Sequence, residues 1–161
     1  MWNTRTMISS RTGAVTCPIV VLDTNVVLDW LVFRDSRCAA LGEALAAGSA
    51  QWCASAAMRE ELAHVLGRGV AQAWRPDFAA LWAQWQRNCV ELPTPGPWPP
   101  ATQLRCTDVD DQMFIDFSLV HGARFLLSRD RAVLKLARRA SRFGLSIMTP
   151  SDWAAARSAA A

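Results

Sequence analysis

The chain has 161 residues, a formal net charge of +3 and a 52% hydrophobic composition, enough apolar material for one domain with a real core and too little length for a second. No apolar run is long enough to span a bilayer. The five cysteines, Cys17, Cys38, Cys53, Cys89 and Cys106, are odd in number and widely spaced with no C-x-x-C pair, which argues against a zinc site and for a reducing, cytoplasmic compartment. Of the 17 basic residues all but Lys135 are Arg, whose fork fits phosphate as well as carboxylate, although Arg with abundant Ala also fits a compositional bias of the genome.

Residues 1–17 are rich in Ser, Thr and Arg, contain no acid and have no apolar h-region. They read as a disordered leader rather than a secretory signal. One domain is expected over residues 18–156, with a disordered tail at 157–161. Ile19-Val20-Val21-Leu22 is a continuous aliphatic run that ends in Asp23. Such a run fits a strand buried on both faces of a parallel sheet, and Asp23 then stands at its carboxyl end, where open α/β sheets bind ligands. A helix cap is the plainer reading, since Asp23, Thr24 or Asn25 can each satisfy free N–H groups ahead of a helix over Val26 to Phe33.

After a break at Arg34-Asp35-Ser36, a second helix is expected through Cys38, Leu41 and Leu45 to Gly48. Gln51 to Ala54 reads as a second strand, and Ser55 starts a helix over Ala56 to Leu66 that carries Glu60, Glu61 and His64 away from its apolar face. Pro76 opens a further helix, on which Phe78, Leu81, Trp82 and Trp85 form one apolar stripe. Such a stripe fits core packing first and a partner-binding groove second. Val90 to Leu92 is a short strand or an extended exit into the proline-rich loop at 93–100, which cannot be helical.

Asp108, Asp110 and Asp111 then precede a helix over Gln112 to His121. Acids suit a helix N-terminus, but three so close also repel one another. Arg124 to Leu127 reads as a strand ending at Ser128-Arg129-Asp130, followed by a helix from Arg131 to Ala140 that puts Arg131, Lys135, Arg139 and Arg142 along one face. Leu145 to Met148 is a last strand, and Pro150 opens a terminal helix.

Strands that alternate with helices predict an α/β fold, a three-layer α/β/α sandwich around a central, mainly parallel sheet whose strand carboxyl ends share one edge. Asp23, Glu61, Asp111 and Asp130 come from four segments that meet that edge. Clustered carboxylates without a cation destabilise one another, and their hard oxygens suit Mg²⁺ or Mn²⁺.

Five stretches, V-L-D-T-N-V at 21–26, S-A-A-M-R-E-E-L at 55–62, D-V-D-D-Q-M-F-I at 108–115, L-L-S-R-D-R-A-V-L at 126–134 and T-P-S-D-W at 149–153, resemble in order and spacing the PIN-domain family, in particular its toxin-like bacterial branch related to VapC-type ribonucleases. The resemblance implies that Asp23, Glu61, Asp111 and Asp130 form the family's acidic quartet and hold the metal. Ser128 then supports the site by hydrogen bonding, and Asn25 orients Asp23 or a water. Glu60 is the neighbour that competes with Glu61 for its role, and Asp108 is a further acid of that branch. The implied activity is a metal-dependent endoribonuclease that hydrolyses RNA phosphodiester bonds, commonly a toxin neutralised by an antitoxin protein, with a homodimer as the ordinary symmetric assembly. Arg129, Arg131, Lys135, Arg139 and Arg142 are placed to hold the RNA backbone, or are a solvated face with cations near a helix end. The competing reading is a non-catalytic PIN-fold module that binds RNA or protein. A dehalogenase-like phosphatase needs a second Asp where Asn25 stands, and the single Lys135 is misplaced for a receiver domain.

Overall fold

In the computed structural model residues 17–96 and 104–161 are described. The expected leader, apart from Cys17, and residues 97–103 with the second half of the proline-rich loop lie outside them. Five strands form one sheet: β1 (Ile19–Leu22), β2 (Gln51–Ala54), β3 (Cys89–Glu91), β4 (Phe125–Leu127) and β5 (Ser146–Met148). Their order is β3-β2-β1-β4-β5, and every pairing is parallel. Helices α1 (Thr24–Leu31), α2 (Ala39–Ala46), α3 (Ala56–Gly67), α4 (Phe78–Asn88), α5 (Gln112–Val120), α6 (Arg131–Leu134), α7 (Ala137–Ala140) and α8 (Pro150–Ala160) flank it in a three-layer α/β/α arrangement. None of these helices is long and apolar enough to cross a membrane.

The order of the strands positions everything else. The chain starts at the centre, moves outward through β2 and β3, then crosses back to place β4 and β5 on the other side of β1. The junction of β1 and β4 is therefore the topological switch point, where the loops leaving the two strands diverge and open a crevice. Val20, Val21, Leu126 and Leu127 are buried there from both faces, which accounts for their unbroken aliphatic run. At the carboxyl edge the Asp23 N–H donates to the Leu127 carbonyl at 3.0 Å and the Ser128 N–H to the Met148 carbonyl at 3.1 Å, carrying the sheet one residue into the loops.

On one side of the sheet four indoles interlock edge to face. Trp52 on β2 meets Trp30 of α1 and Trp85 of α4, with ring centroids 5.7 and 4.7 Å apart, and Trp85 meets Trp82 at 5.9 Å. The stripe on α4 is thus a packing face: Leu81 and Trp85 are buried and Trp82 is half-buried, while Phe78, in the first turn, is 48% exposed. All five cysteines are free.

Two stretches differ from the sequence pattern. The expected helix from Arg131 to Ala140 is broken into α6 and α7, because the Leu136 N–H bonds the Val133 carbonyl at 3.0 Å, a tighter turn that lets both side chains enter the core. The cations of this stretch therefore do not share one helical face. Residues 157–160, expected to be a disordered tail, continue α8: the Arg157 guanidinium lies over the Trp153 ring at 4.7 Å and donates to Ser49 at 3.0 Å.

Leu126 is fully buried on an interior strand, with neighbours on both sides and no room to relax. Leu126→Ala is expected to lower the unfolding free energy by about 3 kcal/mol, read as a fall in the urea midpoint at unchanged slope.

Candidate active site

Asp23 ends β1 and caps α1: its carboxylate accepts from the Asn25 N–H at 3.4 Å. It is 3% exposed, a costly place for a charge. The compensating donor comes from the neighbouring strand, where the Ser128 hydroxyl, also fully buried, donates to Asp23 Oδ2 at 2.7 Å. The same hydroxyl oxygen accepts from the Asp130 N–H at 3.0 Å, and Asp130 in turn caps α6 through the Ala132 N–H at 2.7 Å. A single serine thus fixes the spacing of the two acids on either side of the switch point.

The third segment arrives from the other end of the chain's return crossing. Gln112, the first residue of α5, accepts from the Cys106 N–H at 2.7 Å and donates to the Leu104 carbonyl at 3.0 Å and to Asp116 at 2.9 Å. These bonds staple the incoming loop to the helix and present the 3₁₀ turn Val109–Asp111 to the crevice. Asp108 caps that turn by accepting from the Asp110 N–H at 3.0 Å. One carboxylate oxygen from each of Asp108, Asp111 and Asp130 lies within 4.8 Å of the others, a spacing that a single cation can bridge.

The electrostatics of the cluster point the same way. Burial, followed by the charges of Asp23, Asp130 and Asp108, pushes the Asp111 carboxyl up to about 7. Asp111 Oδ2 is buried and receives no donor among the described residues. Burial also raises Asp23, against the opposing pull of the Ser128 hydroxyl and the Asn25 N–H. An acceptor oxygen with no donor, beside two more carboxylates, suits a hard divalent cation.

The remaining residues singled out from the sequence fall outside this group. Glu61 is half-buried on the second turn of α3 and is not among the three acids at ligand spacing. Its neighbour Glu60 is exposed and faces a different, shallow cleft shared with Arg59, Trp82, Trp85 and Glu91. Asn25 is exposed on the first turn of α1, and Asp110 is exposed and contributes its backbone to the Asp108 cap. Arg131, Lys135, Arg139 and Arg142 are exposed on the segment that follows Asp130.

Arg129 has a different setting. Its guanidinium grips Asp29 of α1 through two bonds, Nε to Oδ2 and Nη2 to Oδ1, the latter at 3.0 Å. Asp29 is 4% exposed, so a phosphate at Arg129 competes with a buried carboxylate. The pair gives α1 and the loop after β4 a second attachment beside the Ser128–Asp23 bond. Sequence reasoning passed over Asp29, although a lone acid inside the apolar run from Val26 to Phe33 is a signal that a buried partner exists.

The sequence profile of the PIN domain matches residues 19–132, about 71% of the chain, which takes in all three segments of the acidic site. The chain belongs to the PIN-domain family. PIN domains are generally nucleases, and this one has a nuclease-type fold with a group of acids at its switch point. No curated protein matches the sequence.

Two outcomes test this electrostatic picture of the PIN domain. At pH above 7 Asp111 is ionised in both folded and unfolded chains, and the fold bears the full repulsion. As the pH falls through about 7 the folded state takes up a proton that the unfolded chain refuses until near 3.8, so the metal-free protein is expected to melt higher at pH 5.5 than at pH 8. Asp111→Asn should flatten that rise. For the ion pair, Arg129→Gln strands a buried carboxylate and is expected to cost about 2–3 kcal/mol in urea unfolding, less than a wholly buried pair because the Arg129 side chain is 42% exposed. Adding Asp29→Asn should restore most of the loss.

Proposed function

We propose that this PIN domain is a Mg²⁺- or Mn²⁺-dependent endoribonuclease that hydrolyses RNA phosphodiester bonds, the toxin of a toxin–antitoxin pair acting in the cytoplasm. The observation that carries the reading is the buried Asp111 Oδ2, with no donor among the described residues, beside the carboxylates of Asp108 and Asp130 and with Asp23 close enough to raise the Asp111 pKa. A purely structural loop would gain by replacing one of these acids with an amide. A metal centre needs them all charged.

Asp108, Asp111 and Asp130 would hold the cation, with Asp23 completing the negative charge from the sheet side and Glu61 joining from α3 through its longer side chain. A bound divalent cation supplies polarisation of the scissile phosphate and a lowered pKa for water at the site. The chain's own residues do the rest. Ser128 holds Asp23 and the Asp130 backbone in fixed relation, Asn25 is placed to orient Asp23 or a water, and the buried strand ends deny the acids room to move apart. Arg131, Lys135, Arg139 and Arg142 bring the RNA backbone to the edge of the site, where phosphate contacts supply most of the sequence-independent affinity. The toxin role follows from the toxin-like motifs, and a small antitoxin encoded in the adjacent reading frame is its expected partner.

Asp23→Asn is nearly isosteric, and the relief of burial and like-charge repulsion offsets the weaker bond to Ser128, so without metal it is expected to melt close to wild type. It should lose Mn²⁺-dependent stabilisation and at least about 100-fold in cleavage of a mixed RNA pool. Cleavage that survives both chelator and the substitution would overturn the mechanism. RNA or protein binding by the wild type with no cleavage and no metal-linked stabilisation would make the chain a non-catalytic binding module instead.

A further inference from the structure

Six described residues adopt a left-handed backbone, and four of them are the glycines Gly48, Gly69, Gly122 and Gly144. The other two are Arg34 and Arg75, with φ of 50° and 46°. Both follow the last turn of a helical segment, where glycine is the residue that costs least. The guanidiniums are there in spite of the local conformation. Both line one cleft of about 520 Å³ between the end of α1, the 3₁₀ turn Gln72–Trp74 and the start of α4. Neither makes an ion pair among the described residues, whereas Arg37, Arg59 and Arg129 each have a carboxylate.

The same cleft carries Trp74, which is 61% exposed. Its indole rests against Phe33, centroids 5.1 Å apart at 61°, so the ring is held while most of its surface is open to solvent. Two guanidiniums with no ion pair among the described residues, beside a supported, open indole, are the components with which proteins hold single-stranded nucleic acid: cations for successive phosphates and a flat face for a base. The acid in the cleft, Asp77, is engaged by the Ala80 N–H at 3.0 Å as the cap of α4. Location agrees with the chemistry, because α1 begins at Asp23 in the acidic site and ends at this cleft, about 12 Å away along eight residues of helix. That separation corresponds to a few nucleotides of single strand, short enough for one RNA to meet both the acids and the cleft.

We infer that this cleft is a subsite for a single-stranded RNA segment flanking the scissile bond, with Arg34 and Arg75 on its phosphates and Trp74 stacked on a base. The inference rests on the nuclease reading for its choice of RNA, but its test does not depend on turnover. The variant to use is Arg34→Gly with Arg75→Gly, since glycine suits both backbones and the protein should melt close to wild type. In an Asp130→Asn background with chelator present, binding of a labelled single-stranded oligoribonucleotide is measured by anisotropy across a salt series.

The double substitution is expected to weaken binding about tenfold at low salt and to lower the salt slope by about 1.4, the value for two phosphate contacts on a single strand. Trp74→Phe should remove a fluorescence quench that the oligonucleotide produces in the Asp130→Asn protein. In the active protein the double substitution should raise KM and leave kcat unchanged on a long RNA, with no effect on a dinucleotide too short to reach the cleft. Unchanged affinity and salt slope would overturn the inference even if the protein cleaves RNA. Tighter binding of an acidic peptide than of RNA, lost in the same variant, would assign the cleft to a protein partner and also overturn it. Arg34- and Arg75-dependent RNA binding by a protein that cleaves nothing would uphold the subsite while the nuclease reading fails.

Discussion

The structure turns on one hydroxyl group. Ser128 donates to the buried carboxylate of Asp23 and accepts from the Asp130 N–H, and both partners lie at the switch point of the sheet. Without that donor Asp23 is a nearly buried anion left to weaker backbone bonds, and Asp130 loses its direct link to the acid at the end of β1. Charge-assisted bonds to carboxylates are among the stronger contacts that side chains make. Here one such bond does two tasks, because the same oxygen carries the restraint on to Asp130.

Around that bond the fold accumulates charge that it does not neutralise. Asp23, Asp108, Asp111 and Asp130 occupy one crevice, and the described residues provide neither a cation nor a donor for Asp111 Oδ2. Three acids elsewhere are ion-paired: Asp29 is gripped by Arg129, Asp35 by Arg37 and Glu91 by Arg59. What sets the switch point apart is that its acids lie at the spacing of a single cation and include a buried oxygen with no donor among the described residues.

Rigidity at the crevice comes through α1. The interlocked indoles of Trp30, Trp52 and Trp85 hold α1 and α4 against β2, and Asp29 ties the same α1 to the loop of Ser128 and Asp130. Helix α1 thus carries Asp23 at one end, and in its last turn an ion-pair anchor followed by a wall of the Arg34 cleft. A displacement of this helix would be felt at all three places.

What the sequence by itself determined is the layer architecture and the acids at the ends of buried runs. Ile19-Val20-Val21-Leu22 and Phe125-Leu126-Leu127 can be so continuously aliphatic only where both faces are covered, and such strands must release the chain at a common edge. The caps were legible for the same local reason, since a Ser or Asp after a strand meets the free N–H groups of the next helix within three residues. Tertiary structure decided which acids stand at ligand spacing: Asp108 joins Asp111 and Asp130, while Glu61 does not, because side-chain reach and the path of the loop stapled by Gln112 depend on contacts distant in sequence. It also decided that Arg129 faces Asp29, that the basic helix breaks at Leu136 and that Arg34 and Arg75 share a cleft. Each depends on which segments the strand order makes neighbours, and periodicity along one segment carries no record of its neighbours across space.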